Sequence, residues 1–289
     1  MFYIFSLLTG VLITVMVAVN GGLTQHYGVY SAAVIIHIVG LILISVLVYA
    51  KGERPFANRK PWHLYLGGAL GVMTTVFLNL AFGRISVSAI MALGLLGQSI
   101  AGLVFDRYGL MGMPKHPFGR GQLIGLTLIL AGIVAMITQL EVVAVVVSFI
   151  TGANIVVART VNAKLAEHTT VRTSTFYNYV VGLCVAVPVF LLLGRGELTY
   201  TGLVLYSNWW IYLGGVIGVC VVLLSNVTVI KISAFYLSLL LFIGQVFSGL
   251  AIDVVITQAF SARNLIGGVL VAFGLCVNLV LDKKSETYS

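Results

Sequence analysis

Charged residues are scarce in this sequence. Only 8% of the 289 residues are Asp, Glu, Lys or Arg, whereas 60% are hydrophobic and the mean hydropathy is +1.10. A soluble domain carries about 25% charged residues, so this chain has too few to cover a water-facing surface. The scarcity excludes a soluble globular protein and predicts a chain that lies largely in hydrocarbon.

Motifs for catalysis and for cofactors are also missing. The three cysteines, Cys184, Cys220 and Cys276, fall in apolar runs and have no CxxC or zinc-type spacing. The five histidines show no HExxH spacing, and no GxxxxGK[ST] loop for ATP occurs. The sequence therefore predicts neither an enzyme nor a pump that binds ATP itself, and we expect no cofactor and no metal.

Basic residues outnumber acidic ones, 16 to 8. No basic stripe with stacking aromatic residues accompanies this excess, so no nucleic-acid partner is expected. With the N-terminus inside, the cytoplasmic segments hold every basic residue except Arg84, Arg195 and Arg263. Because positive charge collects on cytoplasmic loops, we expect a multi-pass protein of the inner or plasma membrane with both termini cytoplasmic.

Ten apolar stretches are long enough to cross about 30 Å of hydrocarbon as helices. Lipid cannot satisfy open backbone groups, and the stretches are too long for barrel strands, so an all-α polytopic fold is predicted. Their limits are Phe5–Leu23, Tyr30–Ala50, Leu64–Phe82, Ser86–Phe105, Gln122–Thr138, Val142–Val161, Thr173–Leu193, Trp210–Val229, Ser233–Ile256 and Leu265–Leu281.

The second half of the sequence repeats the first, with a shift of 142 to 147 residues. The matched polar pairs are Asn20 with Asn162, His26 with His168, Asn79 with Asn226, Gln98 with Gln245 and Asp106 with Asp253. Residues 1–140 and 141–289 thus form two five-span repeats. Since five is odd, the second repeat is predicted to be inverted in the membrane, and the basic loops change sides accordingly. Such inverted repeats are typical of alternating-access transporters.

One stretch is more specific than the repeat itself. GQSIAGLVFDRYGLMGMPKHPFGRGQLIGLTLILAGI, from Gly97 to Ile133, joins a span containing Gln to an Asp-x-x-Gly tail and a loop with Gly, Pro and Lys. Together with Asn20-Gly21-Gly22-Leu23 and Ser31-Ala32-Ala33, it resembles the YdcZ-like branch of the drug/metabolite transporter superfamily. The second half keeps only Gly244-Gln245 and Asp253. The resemblance implies an exporter of undefined substrate, made of two fused units and functional as a monomer.

Polar residues near mid-span are the candidate substrate-binding residues, because an inverted repeat brings such positions close to the midplane. Gln98 and Gln245 are the central pair, Ser99 flanks them, and Asn20 and His37 are expected nearer one mouth of the cavity. The alternative role for these side chains is an interhelical hydrogen bond. For Asn20, which precedes two glycines, a helix C-cap or a broken helix end is a further alternative.

Three charged residues are candidates for coupling or gating. Asp106 and Asp253 lie at matched span ends, where pairing with an Arg or with backbone donors is the structural alternative. Arg159 lies inside the sixth span, where Val17 is its counterpart. It either extends to the cytoplasmic interface or faces a cavity, and in a cavity it would favour a carboxylate-bearing substrate.

The predicted function is a secondary transporter that exports a small polar or zwitterionic metabolite, surrounded by lipid and coupled to protons or another ion. Neutral amides offer donors and acceptors without net charge, which suits such a substrate. The first span of each half lacks the acidic residue used by the small multidrug-resistance relatives. This absence counts against a cationic drug/proton antiporter, which stays an alternative, as does a channel or scaffold without transport activity.

Overall fold

A computed structural model describes residues 2–57, 59–110, 120–137, 141–197, 208–229 and 234–287. Ten α-helices follow one another in these ranges, one for each predicted span, and the all-α fold is confirmed. They are α1 (Phe2–Tyr27), α2 (Val29–Ala50), α3 (Gly67–Ala81), α4 (Val87–Tyr108), α5 (Arg120–Met136), α6 (Val142–Glu167), α7 (Val171–Leu193), α8 (Gly214–Val229), α9 (Ala234–Thr257) and α10 (Ala262–Thr287).

Eight stretches of the described chain are long and apolar enough to cross a membrane. Helices α5 and α10 contribute shorter apolar segments, Leu123–Met136 and Ala262–Val277. Short 3-10 turns, Trp62–Tyr65 and Trp209–Leu213, lead into α3 and α8 and extend both helices at equivalent places. The chain is therefore a polytopic membrane protein built almost wholly from helix.

Helices α1 and α6 are longer than the sequence predicts. The predicted first span ended at Leu23, yet α1 continues to Tyr27 and ends before Gly28, whose φ of 88° is left-handed. Asn20 therefore lies inside a continuous helix, and the prediction that it forms a cap or a broken end is wrong. The physical reason is that backbone groups in lipid must stay paired, so the two following glycines do not open the helix.

The described helices pack into two compact units that do not coincide with the predicted repeats. The first unit comprises Met1–Thr14, Ala81–Val156 and Ile232–Ser289, and the second comprises Val15–Leu80 and Val157–Lys231. The first thus contains α4, α5, α9, α10 and the starts of α1 and α6. The second contains α2, α3, α7, α8 and the remainders of α1 and α6. Each unit draws on both halves of the chain. The repeat limit at residue 140 and the inverted orientation stay predictions.

Glycines let helix backbones come close together within each unit. In the first unit, a Cβ atom on Gly132 of α5 would lie 2.6 Å from the carbonyl oxygen of Gly267 in α10. A Cβ atom on Gly274 of α10 would lie 2.8 Å from the carbonyl oxygen of Gly125 in α5. These two contacts are related by the sequence repeat, so the α5–α10 pair is held by equivalent glycines from both halves.

Candidate functional site

In the second unit, the third helix of each repeat packs on the second helix of the other repeat. Gly68 of α3 lies against the backbone of α7, where a Cβ atom would be 2.6 Å from the carbonyl oxygen of Asn178. Gly215 of α8 lies in the same way against the backbone of α2 at Ile36 and Gly40. The second unit therefore contains the same helix contact twice, with the repeats in exchanged roles.

Buried polar side chains from α6 and α7 form a hydrogen-bonded group beside this contact. Nδ2 of Asn162 donates to Oδ1 of Asn178 over 3.1 Å, and Oγ of Ser174 donates to the carbonyl oxygen of Asn162 over 2.7 Å. The carboxamide of Asn178 faces Gly71 of α3, where a Cβ atom would lie 3.5 Å from Oδ1. The Nδ2 group of Asn178 can donate two hydrogen bonds, and it donates to none of the described residues.

The matched residue in the first repeat is bonded differently. Asn20 is 5% exposed, and its Oδ1 has no hydrogen-bond partner within the described ranges. The side chain lies against Gly214 of α8, where a Cβ atom would overlap it. Ile36 occupies the position equivalent to Asn178 and can neither donate nor accept. Asn20 therefore keeps an unsatisfied acceptor inside the second unit.

His37 lies at the crossing of α2 and α7. Its Nδ1 atom is 2.7 Å from the carbonyl oxygen of Ala33, one turn earlier in the same helix, and its ring packs on Gly182. The ring centroid is 5.8 Å from that of Tyr179, the residue matched to it by the repeat, and the Tyr179 hydroxyl donates to the carbonyl oxygen of Gly215. His37 thus forms an intrahelical bond where the structural alternative was an interhelical one. Its place near a substrate mouth stays a prediction.

Arg159 lies inside α6, more than two helical turns before the last residue, Glu167. The side chain is half-buried, and it forms no ion pair or hydrogen bond with any residue that the structure describes. Its counterpart in the first repeat, Val17, is 1% exposed. The predicted span ended at Val161, so Arg159 is farther from a helix end than the sequence suggested.

Carboxylates hold the N-terminal ends of α7 and α2, and they are not among the residues predicted from the sequence. Glu53, which follows α2, accepts hydrogen bonds from the Thr170 hydroxyl, the Thr173 hydroxyl and Nε of Arg172 at 2.7, 2.9 and 2.7 Å. Burial alone would raise the pKa of the Glu53 carboxyl, but these hydrogen bonds and the charge of Arg172 together lower it. We call this group the α7 cap.

Glu197, which follows α7, forms the equivalent α2 cap. Its carboxylate accepts from the backbone N–H groups of Tyr30 and Ser31 at 3.0 and 2.8 Å, and from the Ser31 hydroxyl at 3.0 Å. An acidic residue just after the second span of each repeat was the available signal for Glu53 and Glu197. That signal alone does not predict a cap, because the partners are more than 100 residues away in the sequence.

Asp253 of α9 caps α4 in the first unit. Its carboxylate accepts from the backbone N–H groups of Val87 and Ser88 at 2.7 and 3.0 Å, and from the Ser88 hydroxyl. This is the backbone pairing expected as the structural alternative, while a gating role stays a prediction. The side chain of the matched residue, Asp106, lies outside the described residues.

The two glutamines lie in the first unit, where α4 packs on α9. Gln245 is 4% exposed, and Gln98 and Ser99 are half-buried. Neither glutamine carboxamide forms a hydrogen bond with the described part of the chain, whereas the Gln245 carbonyl accepts from the Thr14 hydroxyl over 3.0 Å. The described part of the chain therefore contains no interhelical hydrogen bond made by the two glutamine amides, which was the structural alternative.

The predicted site residues are divided between the two units. Gln98, Gln245, Ser99 and Asp253 belong to the first unit, and Asn20, His37 and Arg159 belong to the second. Across the described residues, no three His, Cys, Asp or Glu side chains come together in a way that could hold a metal ion. The polar groups that the described candidate residues offer are thus amides, hydroxyls, an imidazole, one guanidinium and capping carboxylates.

The family model described as "Putative inner membrane exporter, YdcZ" matches the chain twice, over residues 1–135 and 143–277. A solved structure, described only as the crystal structure of a protein, is similar with a TM-score of 0.64 and 15% identity. That likeness covers 99% of this chain and 97% of the other, and it concerns the fold alone. The comparison with curated proteins found no match. The two matches fall within the two predicted repeats, and the chain belongs to this DMT_YdcZ family, whose model it matches twice along the sequence.

Proposed function

We propose that the protein is a secondary transporter that exports a small polar or zwitterionic metabolite by alternating access between inverted repeats. The observation that carries the proposal is the duplicated helix contact of the second unit, with Gly68 of α3 on α7 and Gly215 of α8 on α2. Since both repeats make the same contact, they can exchange conformations without needing a new kind of interface. That exchange is how inverted-repeat transporters open alternately to the two sides.

The glutamines support a polar substrate. A carboxamide inside a membrane protein is costly unless it finds a partner, and the amides of Gln98 and Gln245 have none within the described chain. We therefore assign them, together with Ser99, to substrate binding. The amides can both donate and accept, so they suit hydroxyl, amino and carboxyl groups of a metabolite.

Asp253 is our candidate for coupling. Its ionised carboxylate forms charge-assisted bonds with Val87 and Ser88 at the start of α4, and such bonds weaken when the acceptor is protonated. A proton bound at Asp253 would therefore loosen the end of α4. This would link proton uptake to the movement of a helix that carries Gln98.

The test uses the purified full chain in lipid vesicles loaded with polar metabolites, without ATP and with or without a proton gradient. We expect solute movement that responds to the gradient. We also expect Gln98→Leu and Gln245→Leu to lower the rate at least tenfold. Melting temperatures should stay close to wild type, because the amides form no hydrogen bond with the described residues.

Gln25→Leu is the matched control, since Gln25 is exposed near the end of α1. Its transport rate should equal that of the wild type. Normal transport by both Gln98→Leu and Gln245→Leu would remove the glutamines from the site. Strict dependence of the wild type on added ATP would overturn the secondary-transport mechanism.

A further inference from the structure

The repeat provides an internal comparison for polar residues in the second unit. Several polar side chains on α6 and α7 have apolar counterparts on α1 and α2. Three of these pairs are Arg159 with Val17, Ser174 with Ala32, and Asn178 with Ile36. The apolar members are all buried, at 1%, 0% and 5% exposure. The fold can therefore be packed with apolar side chains at these positions, and packing does not require the polar ones.

Polar and charged groups inside a membrane carry a cost that selection normally removes unless they have a function. Ser174 is accounted for by its bond to the carbonyl oxygen of Asn162, which is 2.7 Å long. Arg159 and Asn178 are not accounted for in this way. The guanidinium has no partner in the described ranges, and the Nδ2 group of Asn178 has no acceptor there.

Asn162 is the residue that relates Arg159 to Asn178. Arg159 and Asn162 are three positions apart on α6, so they share one face of the helix. Nδ2 of Asn162 donates to Oδ1 of Asn178 across the α6–α7 contact, over 3.1 Å. On the α3 side, Gly71 has no side chain to fill the space in front of the Asn178 amide.

Two donor groups at this place have no acceptor among the described residues. They are the guanidinium of Arg159 and the Nδ2 group of Asn178, whose Oδ1 accepts from Asn162. The nearest carboxylate at the start of α7, Glu53, is bound by Arg172 with 2.7 Å between Nε and Oε1. The charge of Arg159 is thus uncompensated by the described residues, and an anion would compensate it.

We infer that Arg159 and Asn178 bind a carboxylate group of the transported metabolite. Arg is suited to a carboxylate because its planar guanidinium can donate two parallel hydrogen bonds to the two oxygens. The inference rests on the proposed function and narrows its substrate class to amino acids and hydroxy acids. Polyols, amines and neutral amides lack the group that Arg159 would hold.

The first experiment uses the wild-type full chain in vesicles and compares solutes that differ only in the acid group. The probes are L-alanine with L-alaninamide and L-lactate with lactamide, followed by the other amino acids with their amides. We expect at least one acid to be transported and its amide to be at least tenfold slower. Equal rates for acids and amides, or transport of polyols or amines alone, would overturn the inference and leave the transporter function standing. Failure of every solute class would instead count against the proposed function.

The second experiment places the first-repeat residues at the second-repeat positions, as Arg159→Val and Asn178→Ile. We expect both variants to lower transport of the acid at least tenfold. Arg159→Lys should retain part of it, because the charge remains but the paired donors are lost. Arg195→Val is the matched control, because Arg195 is exposed at the end of α7 and should leave transport unchanged.

Acid transport at the wild-type rate in both Arg159→Val and Asn178→Ile would overturn the inference. Melting temperature and elution volume of each variant show whether it is folded. Should Arg159→Val not fold, Asn178→Ile, Arg159→Lys and the wild-type comparison of acid with amide still decide the question.

Discussion

Single carboxylates in this protein join residues that are far apart in the sequence. Glu53 of the first repeat caps α7 of the second, whereas Glu197 and Asp253 of the second repeat cap α2 and α4 of the first. The N-terminal end of a helix carries partial positive charge and unpaired N–H groups, so an ionised carboxylate stabilises it. Each cap therefore also connects one repeat to the other.

The α7 cap gives a prediction for stability. Glu53→Gln keeps one acceptor oxygen but loses the charge that pairs with Arg172, and we expect a loss of about 1–2 kcal/mol in the free energy of unfolding. Thermal unfolding in detergent should show a lower midpoint at pH 7 than the wild type. Glu167→Gln, which changes an exposed glutamate at the end of α6, should leave the midpoint unchanged.

The pH dependence of the same variant follows from the lowered pKa of Glu53. A carboxyl with a lowered pKa stabilises the folded protein fully above its unfolded pKa, which for Glu is about 4.3. That contribution is lost as the pH falls through the lower, folded pKa. The difference in midpoint between wild type and Glu53→Gln should therefore shrink as the pH is lowered below about 4. A difference that stays constant with pH would contradict this assignment.

At the scale of helices, much of the fold could be predicted and the contacts between helices could not. Length and apolarity were sufficient to identify all ten helices, because a chain in lipid has to pair its backbone groups internally. The ends of α1 and α6 were placed too early, because the predicted spans stop where polar residues begin, at Thr24 and Asn162, whereas both helices continue through them. The capping glutamates were missed since the partners of a cap are set by tertiary packing. The same limitation applies to Asn178, whose neighbour Asn162 lies on another helix.

The glycine contact between α5 and α10 gives a prediction at this scale. Gly132→Ala should destabilise the protein by about 1–3 kcal/mol, because the added methyl group would meet the backbone of Gly267 and the side chain of Val271. Gly102→Ala in α4 is the matched control, since no atom lies within 4 Å of its added Cβ. Alanine favours helix over glycine by up to about 1 kcal/mol, so the control should melt at the wild-type temperature or above it. Equal midpoints for the two variants would show that the α5–α10 approach is looser than described.

For the whole molecule, the distribution of basic residues predicts the orientation. In a background with Cys184, Cys220 and Cys276 replaced by Ala, single cysteines are introduced as Lys51→Cys and Glu141→Cys, both exposed positions. We expect a membrane-impermeant thiol reagent to label Glu141→Cys in intact cells and Lys51→Cys only after permeabilisation. The opposite pattern would reverse the topology, and labelling of both from outside would exclude the inverted arrangement of the repeats.

The capping of α4 by Asp253 has a consequence for biosynthesis. Ser88 and Asp253 are 165 residues apart in the sequence. Because ribosomes add about 5–20 residues per second, Asp253 is synthesised roughly 10–30 s after the start of α4. During that time, Ser86 is the cap available to α4, and the N–H groups of Val87 and Ser88 lack the carboxylate that they bond in the folded protein. Each compact unit needs helices from both halves, so neither unit can form until the ribosome has delivered the second half. Assembly of this protein is thus a late event, timed by translation and following the insertion of its individual helices.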